Sequence, residues 1–173
     1  LGLRRSRTFL GAAVAAGLVL AFGAGVSQEG APVKIVPRLT GTVDPMALKR
    51  DLSGAVDRGE LFLQYQPKVN VRRQQVASAE ALLRWRHPKR GLILPNDFIP
   101  LAEATRDIDR MTLWTIEQVI ADQQLLRADG RDITIFINIS GQLLSNAKFV
   151  KRVCEIVSAT DVPLGFEITE TSV

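Results

Sequence analysis

The stretch that decides the fold is QVASAEALLRW at residues 75–85, an apolar run that contains one acidic side chain, Glu80. This run predicts a β-strand. The stretch before it, LFLQYQPKV at residues 61–69, also predicts a strand, because its apolar and polar side chains alternate. The alternation puts Leu61, Leu63 and Tyr65 on one face and Phe62, Gln64 and Gln66 on the other. A polar turn near residues 70–73 separates the two strands.

Strands and helices alternate through the rest of the body. The predicted elements around these two strands are a helix from Asp44-Pro45 to Gly59, a loop over 91–95, a short helix from Asn96 to Ala104, an amphipathic helix over 108–128, a strand over 133–139, a helix from Ser145 to Ser158 and a strand over 164–169. Strands separated by helical stretches are typical of an α/β domain with a parallel sheet. At 173 residues the chain is shorter than the roughly 250 residues of a complete TIM barrel.

The N-terminal segment differs in character from the body. Residues 9–26 are uncharged, follow three arginines and precede a Pro- and Gly-containing stretch. This pattern indicates a signal peptide or a membrane anchor, and the remaining interpretation is a segment without a structural role. The expected division of the chain is a signal peptide or apolar anchor helix at 1–30, a linker at 31–43 and a truncated domain at 44–173. The arginines favour a cytosolic N-terminus with the body outside.

Composition and charge exclude several classes of function. Hydrophobic residues make up 46% of the chain and charged residues 23%, which excludes a wholly disordered protein. The net charge is only +4, and the N-terminal arginines contribute much of it, so the body lacks the basic excess typical of proteins that bind nucleic-acid polymers. Cys154 is the single cysteine and His87 the single histidine. Any metal must therefore be a hard cation bound by oxygen atoms.

Polar side chains interrupt three of the predicted strands, and they are Glu80, Asn138, Glu167 and Glu170. Two interpretations are open. In the first, each side chain lies on the exposed face of a two-faced strand, where polar residues usually lie. In the second, they meet at the carboxyl end of a parallel barrel, where such folds build their sites. Two glutamates and one asparagine would then suit Mg²⁺ or Mn²⁺, since these ions prefer oxygen ligands.

Five segments of the chain together resemble one protein family. The sequence Glu80-Ala81-Leu82 lies within AEALLRWRHP at 79–88, and the other segments are LFLQYQPKV at 61–69, GLILPNDFIPLAEA at 91–104, FINIS at 136–140 and FEITE at 166–170. In this order and spacing they resemble the EAL family of bacterial cyclic di-GMP phosphodiesterases over about residues 45–173. The resemblance implies that the body is the front half of a TIM-like (β/α) barrel.

The resemblance also implies roles for individual residues. Glu80, Asn138 and Glu167 correspond to the ligands of a divalent metal, Mg²⁺ or Mn²⁺, and Glu170 corresponds to a residue that steadies a later active-site loop. Arg84 resembles the arginine that contacts a phosphate of cyclic di-GMP, a contact that suits the planar guanidinium group. Gln66 corresponds to a substrate-pocket residue, although a strand-edge amide bonded to backbone is an equally good interpretation.

Activity is expected of the intact domain rather than of this chain. In the family, hydrolysis of cyclic di-GMP to linear pGpG uses two metal ions, a paired Asp-Asp segment, a lysine and a further glutamate downstream of the FEITE-like strand. No Asp-Asp pair occurs in the 173 residues, so we expect the chain alone to be inactive. The alternatives are a degenerate module that binds cyclic di-GMP or a protein partner without turnover, and a gene remnant without function.

Location and assembly are expected from the same resemblance. Cyclic di-GMP is a cytosolic messenger, so family analogy favours an inner-membrane protein with a cytosolic body, anchored through residues 9–26. The arginines before that segment favour the opposite orientation. Half a barrel leaves strand edges unpaired and an inner face uncovered, which favours association, for instance as a homodimer.

Overall fold

The computed structural model of the protein describes residues 20–21 and 45–169. Its strands are β1 (Leu20–Ala21), β2 (Leu61–Asn70), β3 (Gln75–His87), β4 (Gly91–Ile93), β5 (Thr134–Ser140) and β6 (Leu164–Thr169). Its helices are α1 (Pro45–Leu52), α2 (Pro95–Thr105), α3 (Asp107–Ala128) and α4 (Ala147–Ser158), with a 3₁₀ helix at Gly141–Ser145 between β5 and α4.

The sheet is mixed, which corrects the predicted parallel sheet. Its strand order is β1-β2-β3-β5-β6, and β4 pairs with the end of β3. Strands β3, β5 and β6 are parallel, whereas β2 and β3 form an antiparallel hairpin. The turn at residues 71–74 is too short for the crossover that a parallel pair needs. Asn70 Oδ1 accepts hydrogen bonds from the backbone N–H groups of Arg72 and Arg73, which fixes this turn.

One face of the sheet packs against helices and forms the core. The odd-numbered positions of β2 as far as Pro67, of β3 from Ala79 onward and of β5 point to this face, where α3 covers them with Ile116 and Val119. The buried strand residues are Leu63, Tyr65, Ala79, Ala81, Ile135 and Ile137. A second cluster lies towards the carboxyl end of β3, where Trp85 packs with α1, α2 and the start of α3. We call this side the covered face.

The opposite face carries the even-numbered positions of β2 as far as Lys68, of β3 from Ser78 onward and of β5, together with the odd-numbered positions of β6. Strand pairing sets this arrangement, because paired residues point to the same side of a sheet. Among its described side chains only Ser140 is buried, and the rest are half-buried or exposed. We call this side the open face.

Several element boundaries differ from the sequence prediction because tertiary contacts and caps decide them. Helix α1 ends at Leu52 instead of Gly59, and a turn with Gly54 at φ 78° follows it. Residues 91–93, predicted as loop, pair with the end of β3 as strand β4. The side chain of Asn146, rather than Ser145, caps α4 by accepting a hydrogen bond from the Phe149 N–H.

The predicted anchor helix lies almost entirely outside the described residues. The two residues of it that are described, Leu20–Ala21, form strand β1, which pairs antiparallel with Tyr65 and Gln64 of β2. Within the described part of the chain, no helix has the length and apolar character needed to cross a membrane. The predicted division into segments at 1–30 and 31–43 and the prediction for Glu170 also concern residues outside the described ranges.

Candidate functional site

Glu80 and Asn138 meet on the open face through a direct hydrogen bond. Glu80 pairs with Phe136 in the parallel β3–β5 ladder, and Asn138 lies two residues further along β5 on the same face. Asn138 Nδ2 donates a hydrogen bond to Glu80 Oε1 over 2.7 Å. The two side chains therefore stand together although 58 residues separate them in the sequence.

Glu167 joins the same group from the next strand. It pairs directly with Asn138 in the parallel β5–β6 ladder, so both side chains point to the open face. The three residues predicted as metal ligands thus come from three adjacent strands and lie on one face. Their role as ligands stays a prediction.

Lys68 of β2 completes the cluster and bridges the two carboxylates. Its Nζ atom donates a hydrogen bond to Glu167 Oε1 over 2.6 Å and lies 3.9 Å from Glu80 Oε2. The hydrogen bond that the Lys68 ammonium donates to Glu167 raises its pKa, and the negative charges of Glu167 and Glu80 act in the same direction. Lys68 also lies 4.7 Å from the centroid of the Phe136 ring, in a cation–π arrangement.

The donor set has the chemistry that a hard divalent cation requires. Two carboxylates and an amide oxygen are ligands that Mg²⁺ and Mn²⁺ prefer, and a cationic group already lies between the two carboxylates. The side chains of Glu80 and Glu167 are 22% and 39% exposed, so an ion has access to them. Within residues 45–169, no group of three or more His, Cys, Asp or Glu side chains is placed to hold a metal ion, so a metal bound here would need the Asn138 amide beside the two carboxylates.

Arg84 lies on the open face of β3, four residues beyond Glu80. Its Nε atom donates a hydrogen bond to Gln64 Oε1 over 2.7 Å, and its Nη1 atom donates to the backbone oxygen of Leu83 over 2.9 Å. Burial lowers the pKa of the Arg84 guanidinium from its ordinary value. The group remains charged, and an anion bound beside it would offset the cost of burying that charge.

Gln66 lies directly opposite Glu80 in the β2–β3 hairpin and is exposed. Its position on the open face agrees with the predicted alternation along β2. Its role in a substrate pocket stays a prediction. No side chain of Glu170 is described.

A cavity adjoins the site where β3 and β5 separate. The β3–β5 pairing ends at Ala81, and β4 takes the place beside β3 from Trp85 onward. A cavity of about 520 Å³ is lined here by Leu82 and Asn138 together with residues of α2 and of the first turns of α3, among them Pro100 and Met111. Its lining is mostly apolar, in contrast to the charged cluster next to it.

Sequence reasoning missed Lys68, Gln64 and Phe136 as members of the site. The period-2 pattern that put Phe62, Gln64 and Gln66 on one face of β2 extends by one step to Lys68, so the signal was present. The Phe136 ring can lie over its β6 partner, residue 165, because that residue is a glycine and has no side chain. A Cβ atom at Gly165 would lie 2.4 Å from the Phe136 ring, so the ring occupies the space that a larger residue would fill.

A sequence profile of the EAL domain matches residues 49–173 of this chain, which is well over half of its length. The chain belongs to the EAL domain family. The predicted membership is thus confirmed by a comparison that is independent of the geometry described above.

The relatives of this EAL chain include named enzymes. A bifunctional diguanylate cyclase/cyclic di-GMP phosphodiesterase, MucR of Pseudomonas aeruginosa, is 37% identical over 111 residues, which are 64% of this chain and 16% of that protein. The cyclic di-GMP phosphodiesterase PdeR of Escherichia coli is 34% identical over 127 residues, which are 72% of this chain and 19% of that protein. The chain therefore spans less than a quarter of the length of these relatives.

Solved structures of EAL proteins share the fold. The MucR phosphodiesterase in complex with c-di-GMP matches with a TM-score of 0.63 and 35% identity, over 69% of this chain and 50% of that one. The EAL enzyme Bd1971 in its cGMP-bound form matches with a TM-score of 0.64 and 30% identity, over 73% of this chain and 37% of that one. The predicted α/β architecture of the EAL domain is confirmed, with a mixed sheet.

Proposed function

We propose that this chain supplies the front half of the barrel, and the first part of the site, of an EAL phosphodiesterase that acts on cyclic di-GMP. The observation that carries the proposal is the meeting of Glu80, Asn138 and Glu167 on one face of the sheet, with Arg84 on the same face. The names of the relatives support the substrate class.

The metal part of the proposal concerns the charged cluster. Glu80, Asn138 and Glu167 would hold Mg²⁺ or Mn²⁺ through their oxygen atoms. A divalent ion held there would supply electrostatic stabilisation of a phosphate and acidify a bound water. The chain itself contributes the fixed positions of the ligands, because neighbouring strands hold them in register.

The substrate part of the proposal concerns Arg84 and the cavity. Four residues of strand place Arg84 about 13 Å along β3 from Glu80, a separation that a dinucleotide spans. Gln64 orients the guanidinium group of Arg84, because its side-chain oxygen accepts a hydrogen bond from Nε. The apolar cavity beside Asn138 has room for a planar base.

The first test is calorimetric titration of cyclic di-GMP into the chain with and without Mn²⁺. We expect binding that depends on Mn²⁺ and weakens about ten- to a hundredfold in Arg84→Ala, the range for a lost charge-assisted hydrogen bond. The matched control is Arg152→Ala, which removes an exposed arginine from α4 and leaves binding unchanged. Equal affinity in wild type and Arg84→Ala would contradict the assignment of Arg84 to the phosphate.

The second test asks whether bound cyclic di-GMP is hydrolysed. The 173 residues contain no Asp-Asp pair, so we expect binding without release of linear pGpG when the chain is tested alone. Chromatography of the nucleotide after incubation with Mn²⁺ measures this directly. Release of pGpG at a rate that Glu80→Gln abolishes would overturn the expectation of inactivity and retain the site.

Location and assembly are separate proposals. We propose, on family analogy and against the charge rule, that residues 9–26 target the protein to the inner membrane with the body in the cytosol, and that the body self-associates through its open strand edges. Fluorescence of a C-terminal green fluorescent protein fusion in the membrane fraction would support the cytosolic orientation. Light scattering of the purified body would measure the mass, and a monomer at all concentrations would contradict self-association.

A further inference from the structure

Lys68 places one positive charge beside both carboxylates of the proposed metal site. Its Nζ atom is 2.6 Å from Glu167 Oε1 and 3.9 Å from Glu80 Oε2. No other lysine or arginine within residues 45–169 forms an ion pair with either glutamate. The ammonium and a divalent ion would therefore compete for the same two carboxylates.

We propose that Lys68 is a built-in competitor of the divalent cation, which supplies one positive charge to Glu80 and Glu167 in the metal-free protein and is displaced when the metal binds. This inference rests on the proposed function, because it takes the two glutamates as metal ligands. Two cations in contact with the same carboxylate oxygens repel each other strongly. The ammonium also occupies Glu167 Oε1, one of the carboxylate oxygens that a metal ion would bind.

The surroundings of Lys68 allow the ammonium to leave without losing every partner. The side chain is 43% exposed and has a flexible four-carbon stem. The Phe136 ring, 4.7 Å away, offers a cation–π contact that does not involve the carboxylates. Because Gly165 has no side chain, this ring keeps its place beside the cluster.

The role of Lys68 in this competition differs from that of a simple surface charge. Its removal should tighten metal binding, because the metal no longer has to break an ion pair, and should also leave two adjacent carboxylates without a counter-charge in the metal-free protein. For an exposed ion pair we expect metal binding to tighten about fivefold. Replacement by arginine keeps the charge and should keep the competition.

The experiment is calorimetric titration of Mn²⁺ alone into the full chain, without nucleotide. Lys68→Met, which keeps the stem and removes the charge, should bind Mn²⁺ about fivefold more tightly than wild type, and Lys68→Gln should do the same. Lys68→Arg should stay within about twofold of wild type because the charge is retained. The matched control is Lys151→Met, which removes an exposed lysine from α4 and should leave the affinity unchanged.

Thermal unfolding supplies a readout that is independent of the titration. The rise in Tm produced by saturating Mn²⁺ should be larger in Lys68→Met than in wild type, because the metal-free variant loses its counter-charge. Unchanged or weaker Mn²⁺ binding in both Lys68→Met and Lys68→Gln would overturn the competitor role and leave the metal site intact. Equal Mn²⁺ affinity in wild type and Glu80→Gln would instead overturn the metal site itself, and with it the proposed function.

Discussion

The two faces of the sheet use the same strands for different purposes. On the covered face Ile137 is 1% exposed and packs against α3, whereas its neighbour Asn138 on the open face is exposed and bonded to Glu80. Alternate residues of one strand therefore serve different purposes: one set stabilises the fold and the other forms the candidate site. Because apolar burial on one side stabilises the strands, the other side tolerates clustered charges that contribute little to stability.

The largest expected effect comes from comparing adjacent residues of β5. Ile137→Ala should lower the free energy of unfolding by about 3 kcal/mol, because it leaves a cavity in a packed core. Asn138→Ala should lower it by less than about 1 kcal/mol, because the lost hydrogen bond is exposed to solvent, and should weaken Mn²⁺ binding. Urea denaturation followed by circular dichroism measures the first quantity and calorimetry the second. Similar losses of stability in the two variants would contradict the conclusion that the covered face stabilises the fold more than the open face does.

A smaller effect is expected at Gly165, where the open face is packed rather than polar. Gly165→Ala should cost about 1–2 kcal/mol, because its Cβ would lie 2.4 Å from the Phe136 ring and force the ring to move. Gly141→Ala is the matched control, since its Cβ would make only ordinary contacts, at 3.6 Å from the Thr169 carbonyl oxygen. Urea denaturation compares the two variants. A neutral Gly165→Ala would mean that the ring does not need the space that the glycine leaves.

The smallest effect concerns a carboxylate beside the core. Hydrogen bonds from Arg58 and from Trp85 Nε1 hold the pKa of Glu60 below its ordinary value of 4.5. A lowered pKa in the folded protein stabilises it above the unfolded pKa, and this contribution is lost as the pH falls through the folded pKa. Glu60→Gln should therefore lose less stability than wild type between about pH 5 and about pH 3. Tryptophan fluorescence during urea unfolding at each pH reports the difference, and parallel pH profiles of the two proteins would rule out this role for Glu60.

The sequence predicted the positions of the strands along the chain better than it predicted which strands pair and in which direction. Alternation along residues 61–69 identified the two faces of β2, and the apolar runs located β3, β5 and β6 close to their observed bounds. The hairpin between β2 and β3 was missed, because an alternating pattern defines a strand but not the direction of its neighbour. The cap of α4 was displaced by one residue, since Asn146 and Ser145 are both good capping residues and only the backbone geometry chooses between them.

The sequence predicts four residues of the candidate site, but it does not predict the contacts that they make. The five family-like segments identify Glu80, Asn138, Glu167 and Arg84 from the sequence alone. Lys68 was missed although the period of β2 includes it, because its partner Glu167 lies 99 residues away. Long-range ion pairs leave no periodic trace in a sequence.

Local alternation and ordered motifs lie along the chain, so the amino-acid sequence was enough for the family, the α/β class and the residues proposed as oxygen donors. Tertiary structure was needed to show that the sheet is mixed, that the helices among the described residues cover one of its faces, and that Lys68 lies between two glutamates from other strands. The physical reason is that strand register, fixed by hydrogen bonds between distant segments, sets which side chains share a face.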